Sequence, residues 1–271
     1  MSDSTFIEYR GNCHCAAFKF TFKAPEIKET YACNCSICYQ KGYLWGFPPE
    51  GIVVVKGDVD STLKSYEFGN RTMQHKFCPT CGTSVLARTS NGKIGVNLRT
   101  LDKFDAAVLP VAATSDGAAK EPHYQVPEPV DVGLVPEGTT VYQGSCHCGA
   151  VRYAHLASEP LAEAYPCNCS ACHRDAAAWI YPDTPTVIFD GLSSLTEYTF
   201  GLQRTFHGFC SVCGVAIRER FINTSKERES GRDRTRRVAL NIRTMHGVKL
   251  EQLKITLGDG RGMAPEYDSP W

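Results

Sequence analysis

Seven cysteines recur in one order twice along the chain, and no other feature constrains the fold as tightly. They fall at positions 13, 15, 33, 35, 38, 78 and 81, and again at 146, 148, 167, 169, 172, 210 and 213, which accounts for all 14 cysteines. The surrounding sequence repeats with them. GNCHCAA at Gly11 to Ala17 returns as GSCHCGA at Gly144 to Ala150, and CNCSIC at Cys33 to Cys38 returns as CNCSAC at Cys167 to Cys172. Leu63 to Gly82 matches Leu195 to Gly214, NLRT at Asn97 to Thr100 matches NIRT at Asn241 to Thr244, and Trp45 pairs with Trp179. The interval from Cys13 to Cys146, about 133 residues, is the size of a domain rather than of a solenoid unit. The chain therefore reads as a tandem duplication, with one domain over 1–130 and a second over 140–271.

Within each copy, apolar residues alternate with period two: Phe18, Phe20 and Phe22; Ile52 to Val55; Leu63 to Phe68; Val151 and Tyr153; Val187 to Phe189; Leu195 to Phe200; Val215 to Phe221. No stretch keeps a helical apolar spacing for a dozen residues. Each copy is thus expected to be a small, mainly β domain of mostly antiparallel strands. The Pro-, Gly- and Glu-rich stretch from about Thr114 to Thr140 reads as the tail of the first copy plus an extended tether. The second copy carries an insertion, Asn223 to Arg237, with six Lys or Arg against three acids, which reads as a solvated hairpin tip.

A chain of 271 residues can bury its core without staples, so 14 cysteines are not needed for stability as disulfides. Its 29 basic and 29 acidic residues cancel, which argues against a partner held by bulk charge, such as a nucleic-acid backbone or an anionic membrane. The opening MSDSTFIEYR has no apolar core of a secretory signal and an early acid. Apolar runs such as Ile52 to Val55 and Ala176 to Tyr181 fall far short of the roughly 20 residues that cross a bilayer. The compartment expected is the cytoplasm, with the nucleus also compatible, and there clustered cysteines hold metal more often than disulfides. The sequence carries no signal of oligomeric state.

Each copy offers a CxC (Cys13, Cys15; Cys146, Cys148), a CxCxxC (Cys33, Cys35, Cys38; Cys167, Cys169, Cys172) and a CxxCG (Cys78, Cys81; Cys210, Cys213). Two short pairs brought from distant parts of a chain are the usual way to give zinc four thiolates, and the glycine after CxxC tolerates the positive φ that closes such a knuckle. The remaining three cysteines leave a fourth position for water or substrate, the arrangement of catalytic rather than structural zinc. The count expected is up to two zinc ions per domain and four per chain. Other readings of the triad are iron–sulfur ligation, a metal-free thiol cluster, or closure by a protein ligand such as His173.

Weaker candidates surround these clusters. His14 and His147 lie between two ligand cysteines and read as packed or surface residues. His75 and His207, shortly before Cys78 and Cys210, are read as facing the same way as those cysteines and as donors to their sulfurs. Trp45, Trp179, Tyr66 and Tyr198 read as core. Arg99 and Arg243 recur in matching positions, either as surface residues or as holders of a carboxylate.

Taken together, GSCHCGAVRY, CNCSAC and FCSVCG, with GNCHCAAFKF, CNCSIC and FCPTCGT, resemble the glutathione-dependent formaldehyde-activating enzyme family, also called the centromere protein V family. The resemblance covers nearly the whole chain twice. It implies a β-tent of small antiparallel sheets around zinc. It also implies a closed zinc on Cys13, Cys15, Cys78 and Cys81 and on Cys146, Cys148, Cys210 and Cys213, and a functional metal on each triad, whose six cysteines would be the catalytic ones. The activity implied is the reversible joining of glutathione and formaldehyde into S-hydroxymethylglutathione, a carbon–sulfur lyase reaction, with a small thiol and an aldehyde-type electrophile as partners. Two further readings accompany it: a non-catalytic zinc-binding interaction module that uses Lys226 to Arg237 as its contact, and a lyase specialised for a secondary metabolite. The first copy departs from the second by Ala16 in place of Gly149, and Tyr39 and His173 follow the triads where family members often place Arg.

Overall fold

The computed structural model describes residues 5–231 and 233–271; the first four residues of the N-terminal stretch, Arg232 of the basic insertion and the side chain of Lys226 lie outside the described residues. Two compact units emerge. One comprises the chain up to Tyr124 together with Arg174–Ala176 and Asp268–Trp271, the other Gln125–His173 and Ala177–Tyr267.

The first copy runs β1 (Ile7–Asn12), β2 (Lys19–Ala24), β3 (Thr30–Cys33), α1 (Ser36–Lys41), β4 (Trp45–Gly46), β5 (Val53–Lys56), β6 (Lys64–Tyr66), β7 (Met73–Phe77), β8 (Ser84–Thr89), β9 (Ile94–Asn97) and β10 (Val111–Ser115). Strands β1-β2-β5 form a three-stranded antiparallel sheet. The larger sheet has the order β10-β3-β4-β9-β8-β7-β6, with β10 parallel to β3 and the other pairs antiparallel.

The second copy repeats this plan with β11 (Thr140–Ser145), β12 (Arg152–Ala157), β13 (Glu163–Pro166), α2 (Ser170–Asp175), β14 (Ala178–Ile180), β15 (Val187–Asp190), β16 (Leu195–Tyr198), β17 (Thr205–Cys210), β18 (Ala216–Phe221), α3 (Ser225–Glu229), β19 (Val238–Asn241) and β20 (Lys254–Ile255). Its sheets, β11-β12-β15 and β20-β13-β14-β19-β18-β17-β16, reproduce the first copy's orders position by position. The duplicated, mainly β architecture expected from the sequence is the one observed. The insertion expected as a bare hairpin tip instead carries α3 between β18 and β19.

The period-two pattern builds these sheets. Along β18 every second residue is buried, and in β2 Phe20 and Phe22 turn inward between polar neighbours. Phe18, Phe20, Phe77 and Leu86 are fully buried in the first unit, as are Tyr153, Trp179, Ile217 and Leu240 in the second. The glycine that opens each GxCHC motif has a packing reason. Gly11 pairs across the sheet with Phe20, and a Cβ on it would lie 2.3 Å from that ring. Gly144 stands in the same relation to Tyr153, at 2.2 Å.

At six residues, α1 is too short to persist alone, and it is held by the buried Ile37 and Cys38 on its inner side. Gly42 ends it in the left-handed region and donates its N–H to the carbonyls of Cys38 and Tyr39. The first unit also holds the C-terminal residues. The Trp271 indole donates to Asn12 Oδ1 at 3.1 Å, the Lys19 ammonium lies 4.1 Å from its ring centre, and Ser269 donates to Asp102 at 2.6 Å. No helix among the described residues is long and apolar enough to cross a membrane.

Candidate metal centres

The CxC segments form turns at the ends of β1 and β11, and the CxxC segments form turns at the ends of β7 and β17. The CxC turn of each small sheet meets the CxxC turn of the larger sheet, and the ligand atoms of Cys13, Cys15, Cys78 and Cys81, and those of Cys146, Cys148, Cys210 and Cys213, all lie within 4.8 Å of one another. Sulfur separations are 3.7 Å (Cys13 to Cys15) and 3.6 Å (Cys15 to Cys78) in the first cluster, and 3.5 Å (Cys146 to Cys148) and 3.7 Å (Cys148 to Cys210) in the second. A disulfide needs about 2.05 Å. Four sulfurs at about 2.3 Å from a tetrahedral zinc stand about 3.8 Å apart, so both clusters fit zinc and neither fits a disulfide. Every one of the 14 cysteines is free of disulfide bonding. Backbone N–H groups aim at the sulfurs, Phe18 to Cys13 and Val151 to Cys146, each at 3.3 Å, as suits thiolate acceptors.

The triads occupy the passage from β3 into α1 and from β13 into α2. A strand end followed by one helical turn makes three cysteines at spacings of two and three converge, within 4.8 Å in both Cys33, Cys35, Cys38 and Cys167, Cys169, Cys172. Contact with the Cys35 and Cys38 thiols holds Cys33 down at about 2, whereas contact with Cys33 and Cys35 and burial push Cys38 well up. The second triad behaves alike: Cys169 and Cys172 hold Cys167 down at about 2. Three converging thiols are a donor set suited to a thiophilic cation.

One element of these sites went unread in the sequence. After β10, Asp116 and Gly117 cross the first triad: Asn34, the residue between Cys33 and Cys35, donates to Asp116 Oδ1 at 2.9 Å and accepts from the Ala118 N–H at 2.9 Å. The Gly117 N–H supports the Cys33 thiolate, and a Cβ on Gly117 would lie 2.6 Å from Cys33 Sγ and 2.8 Å from Cys35 Cβ. Asn168, Asp259, Gly260 and Arg261 repeat the device, with Asn168 to Asp259 at 2.9 Å and a Gly260 Cβ at 2.7 Å from Cys169 Cβ. Each strap then lays a proline on a turn glycine, Pro122 near Gly69 and Pro265 near Gly201. The signal was present in the aligned copies, as SDGAAKEPHY against GDGRGMAPEY. The stretch from Asp116 is thus a strap on the triad rather than part of a tether.

Several side chains differ from expectation. His75 and His207 stand three residues before Cys78 and Cys210, an odd separation that puts the two side chains on opposite faces of an extended strand. They accordingly face the triads. His75 lines one cavity with Cys33, Cys35 and Cys38, and His207 Nδ1 lies 3.9 Å from Cys172 Sγ. Among the described residues, His173 joins no cluster of converging ligand atoms, whereas Cys172, His207 and Glu219 form one. Trp45 and Trp179 are core as expected, and the Trp179 indole also donates to Cys172 Sγ at 3.4 Å. His14 and His147 are buried. Arg99 spends its guanidinium on the Gly42 carbonyl at 2.8 Å.

The first triad opens into a cavity of about 760 Å³, walled by Trp45, Phe47, Phe68 and His75 and bordered by Lys93 and Lys120. Of the basic insertion, Arg234 lies over the Phe221 ring at 4.9 Å and Arg237 donates to the Tyr181 carbonyl at 3.0 Å, so these cations are turned to the protein's own groups.

Two duplicated β domains, each with cysteine clusters that converge as zinc ligands do, define the class of protein to which the chain is similar. A model of the family described as glutathione-dependent formaldehyde-activating enzyme matches residues 8–114 and again 141–231. The chain belongs to the glutathione-dependent formaldehyde-activating enzyme family, and with that membership goes a glutathione- or thiol-related, zinc-binding role. Among solved structures, the crystal structure of a Rhodobacter sphaeroides protein is 28% identical, matching 38% of this chain and 99% of that chain with a TM-score of 0.33.

Proposed function

We propose that the protein is a zinc-dependent carbon–sulfur lyase that joins glutathione, or a related small thiol, to an aldehyde and releases them again. The observation that carries this reading is a triad of cysteines facing a cavity of about 760 Å³, with aromatic walls and lysines at its border. Cys13, Cys15, Cys78 and Cys81, and their counterparts Cys146, Cys148, Cys210 and Cys213, would hold one structural zinc per domain; Cys33, Cys35 and Cys38, and Cys167, Cys169 and Cys172, would hold a second zinc in each domain, the kind of site at which the thiol reacts. That makes four ions across domains 1–130 and 140–271. Zinc held by a triad would supply one thing, a lowered pKa for the substrate thiol, so that its thiolate would be present near neutral pH.

The chain's own residues do the rest. Asn34, Asp116 and Gly117 fix the triad loop before substrate arrives, and Trp45 and Phe47 give the cavity apolar walls. Lys93 and Lys120 offer charge to the carboxylates of glutathione. In the forward reaction the sulfur–carbon bond forms, the carbonyl π pair moves to oxygen, and the proton given up by the thiol ends on that oxygen. Holding thiol and carbonyl together contributes as much as activation does. The test is exchange spectroscopy on glutathione and formaldehyde with the zinc-loaded protein. Catalysed formation of S-hydroxymethylglutathione is expected, falling by about 100-fold or more in Cys35→Ser, on the scale of losing a group that acts in the transition state. No acceleration over the uncatalysed exchange would overturn the proposal.

A further inference from the structure

The two triads share their backbone plan but differ in what stands over them. Strand pairing aligns the copies: His75 faces Ala87 and Met73 faces Thr89 across β7 and β8, while His207 faces Glu219 and Thr205 faces Phe221 across β17 and β18. The alanine and threonine that line the first cavity are therefore replaced by a glutamate and a phenylalanine. Glu219 is 6% exposed and accepts from the Cys172 thiol at 3.3 Å and from His207 Nδ1 at 3.0 Å. Phe221 joins Cys172, Trp179 and Ala239 in one buried cluster, against which Cys167, Cys169 and Tyr181 pack. The insertion that only the second copy carries completes the cover, with Arg234 stacked over Phe221 at 4.9 Å and Arg237 tied to the Tyr181 carbonyl at 3.0 Å.

We infer that the substrate thiol enters at the first triad alone, and that Glu219, Phe221 and the Arg234 segment close the second triad with the protein's own side chains. The inference rests on the function proposed above for the identity of the thiol, and on side-chain geometry for the division between the copies. The Glu219 side chain and the Phe221 ring fill the space that an alanine and a threonine leave open in the first copy. The basic insertion thereby has a role that needs no outside partner: it is a fixed cover.

The experiment uses the zinc-loaded full chain and two readouts. Calorimetric titration with glutathione is expected to give one site per chain, lost in Ala87→Glu/Thr89→Phe and doubled in Glu219→Ala/Phe221→Thr. Iodoacetamide labelling of the native protein, read per cysteine by mass spectrometry, is expected to modify the first triad about tenfold faster than the second, since alkylation follows access. In Glu219→Ala/Phe221→Thr that ratio is expected to approach one once circular dichroism shows the fold retained, and the labelling ratio of the unaltered protein keeps the test open if either double variant misfolds. Equal labelling in the unaltered protein, or two glutathione sites per chain, overturns the division. Unequal labelling with no glutathione bound upholds the division and overturns the glutathione reading instead.

Discussion

The two four-thiolate clusters match each other closely, whereas the surroundings of the two triads differ. In the four-thiolate clusters, sulfur separations agree between copies to within a few tenths of an ångström, at 3.7 and 3.6 Å against 3.5 and 3.7 Å. Around the triads, Glu219 and Phe221 of the second copy stand where the first has Ala87 and Thr89, and residues of the second copy's insertion lie beside them. A closed tetrahedral site ties four sulfurs from two distant turns to one geometry, so the turns and the strands that deliver them must be kept together. The wall of an open site contributes little to stability, and it can change in one copy while the other keeps working.

Removing a ligand from a four-thiolate cluster is the harshest break of this comparison. Cys78→Ser and Cys210→Ser are each expected to remove much of the ~10–16 kcal/mol that structural zinc supplies. Each should abolish one of two thermal transitions and two-copy symmetry with it, which scanning calorimetry with metal quantification checks. A chelator should melt both units, and equal loss in the two copies is the expected outcome.

Next in size are the strap glycines. Gly117→Ala and Gly260→Ala force a methyl to within 2.6–2.8 Å of triad atoms, and overpacking of this kind costs about 1–3 kcal/mol. Each variant should lose one zinc per chain while leaving its four-thiolate site filled, a result that mass spectrometry of the native protein reads directly. Retention of all metal would show that the strap yields more than its contacts suggest.

Smaller effects separate the copies at their turns. Ala16 is held at φ 57° where Gly149 has φ 76°, and Ala176 is held at φ 48° where Gly42 has φ 54°. Ala16→Gly is expected to stabilise, and Gly149→Ala to destabilise, by about 1 kcal/mol each in denaturant titrations, because a Cβ is disfavoured in the left-handed region.

The mildest difference is in pH response. His155 and His246 have their pKa lowered by burial, and the first copy has Phe22 and Asp102 at those places. Burial favours the neutral rings in the folded state, whereas the unfolded chain protonates them near pH 6.5. Their contribution is therefore present above about pH 6.5 and is lost as pH falls from there toward the lower folded values. The melting temperature of the second unit should fall relative to the first between pH 7 and 5.5, and His155→Phe should narrow the gap.

Much of this was legible in the chain. The repeat of seven cysteines, the alternation in β2, β12 and β18, and the split of each seven into four and three required only spacing and residue type. The direction of His75 and His207 is also legible, since an odd separation of three residues sets them on the face opposite Cys78 and Cys210. The strap was harder, because Asp116 and Gly117 follow the last apolar strand in a stretch of turn-forming residues, and their contact with Asn34 spans more than 80 positions. Glu219 and Phe221 looked like ordinary alternating residues of a strand.

By itself the sequence determined the duplication, the β class, and which cysteines group together, because these follow from local periodicity and from the fixed ligand demands of a thiolate site. Only the tertiary structure decided what lies over each triad. That depends on which face of β8 or β18 meets the loop after β3 or β13, and on where an insertion folds back, and such long-range packing is set by the sheet order rather than by any local run of residues.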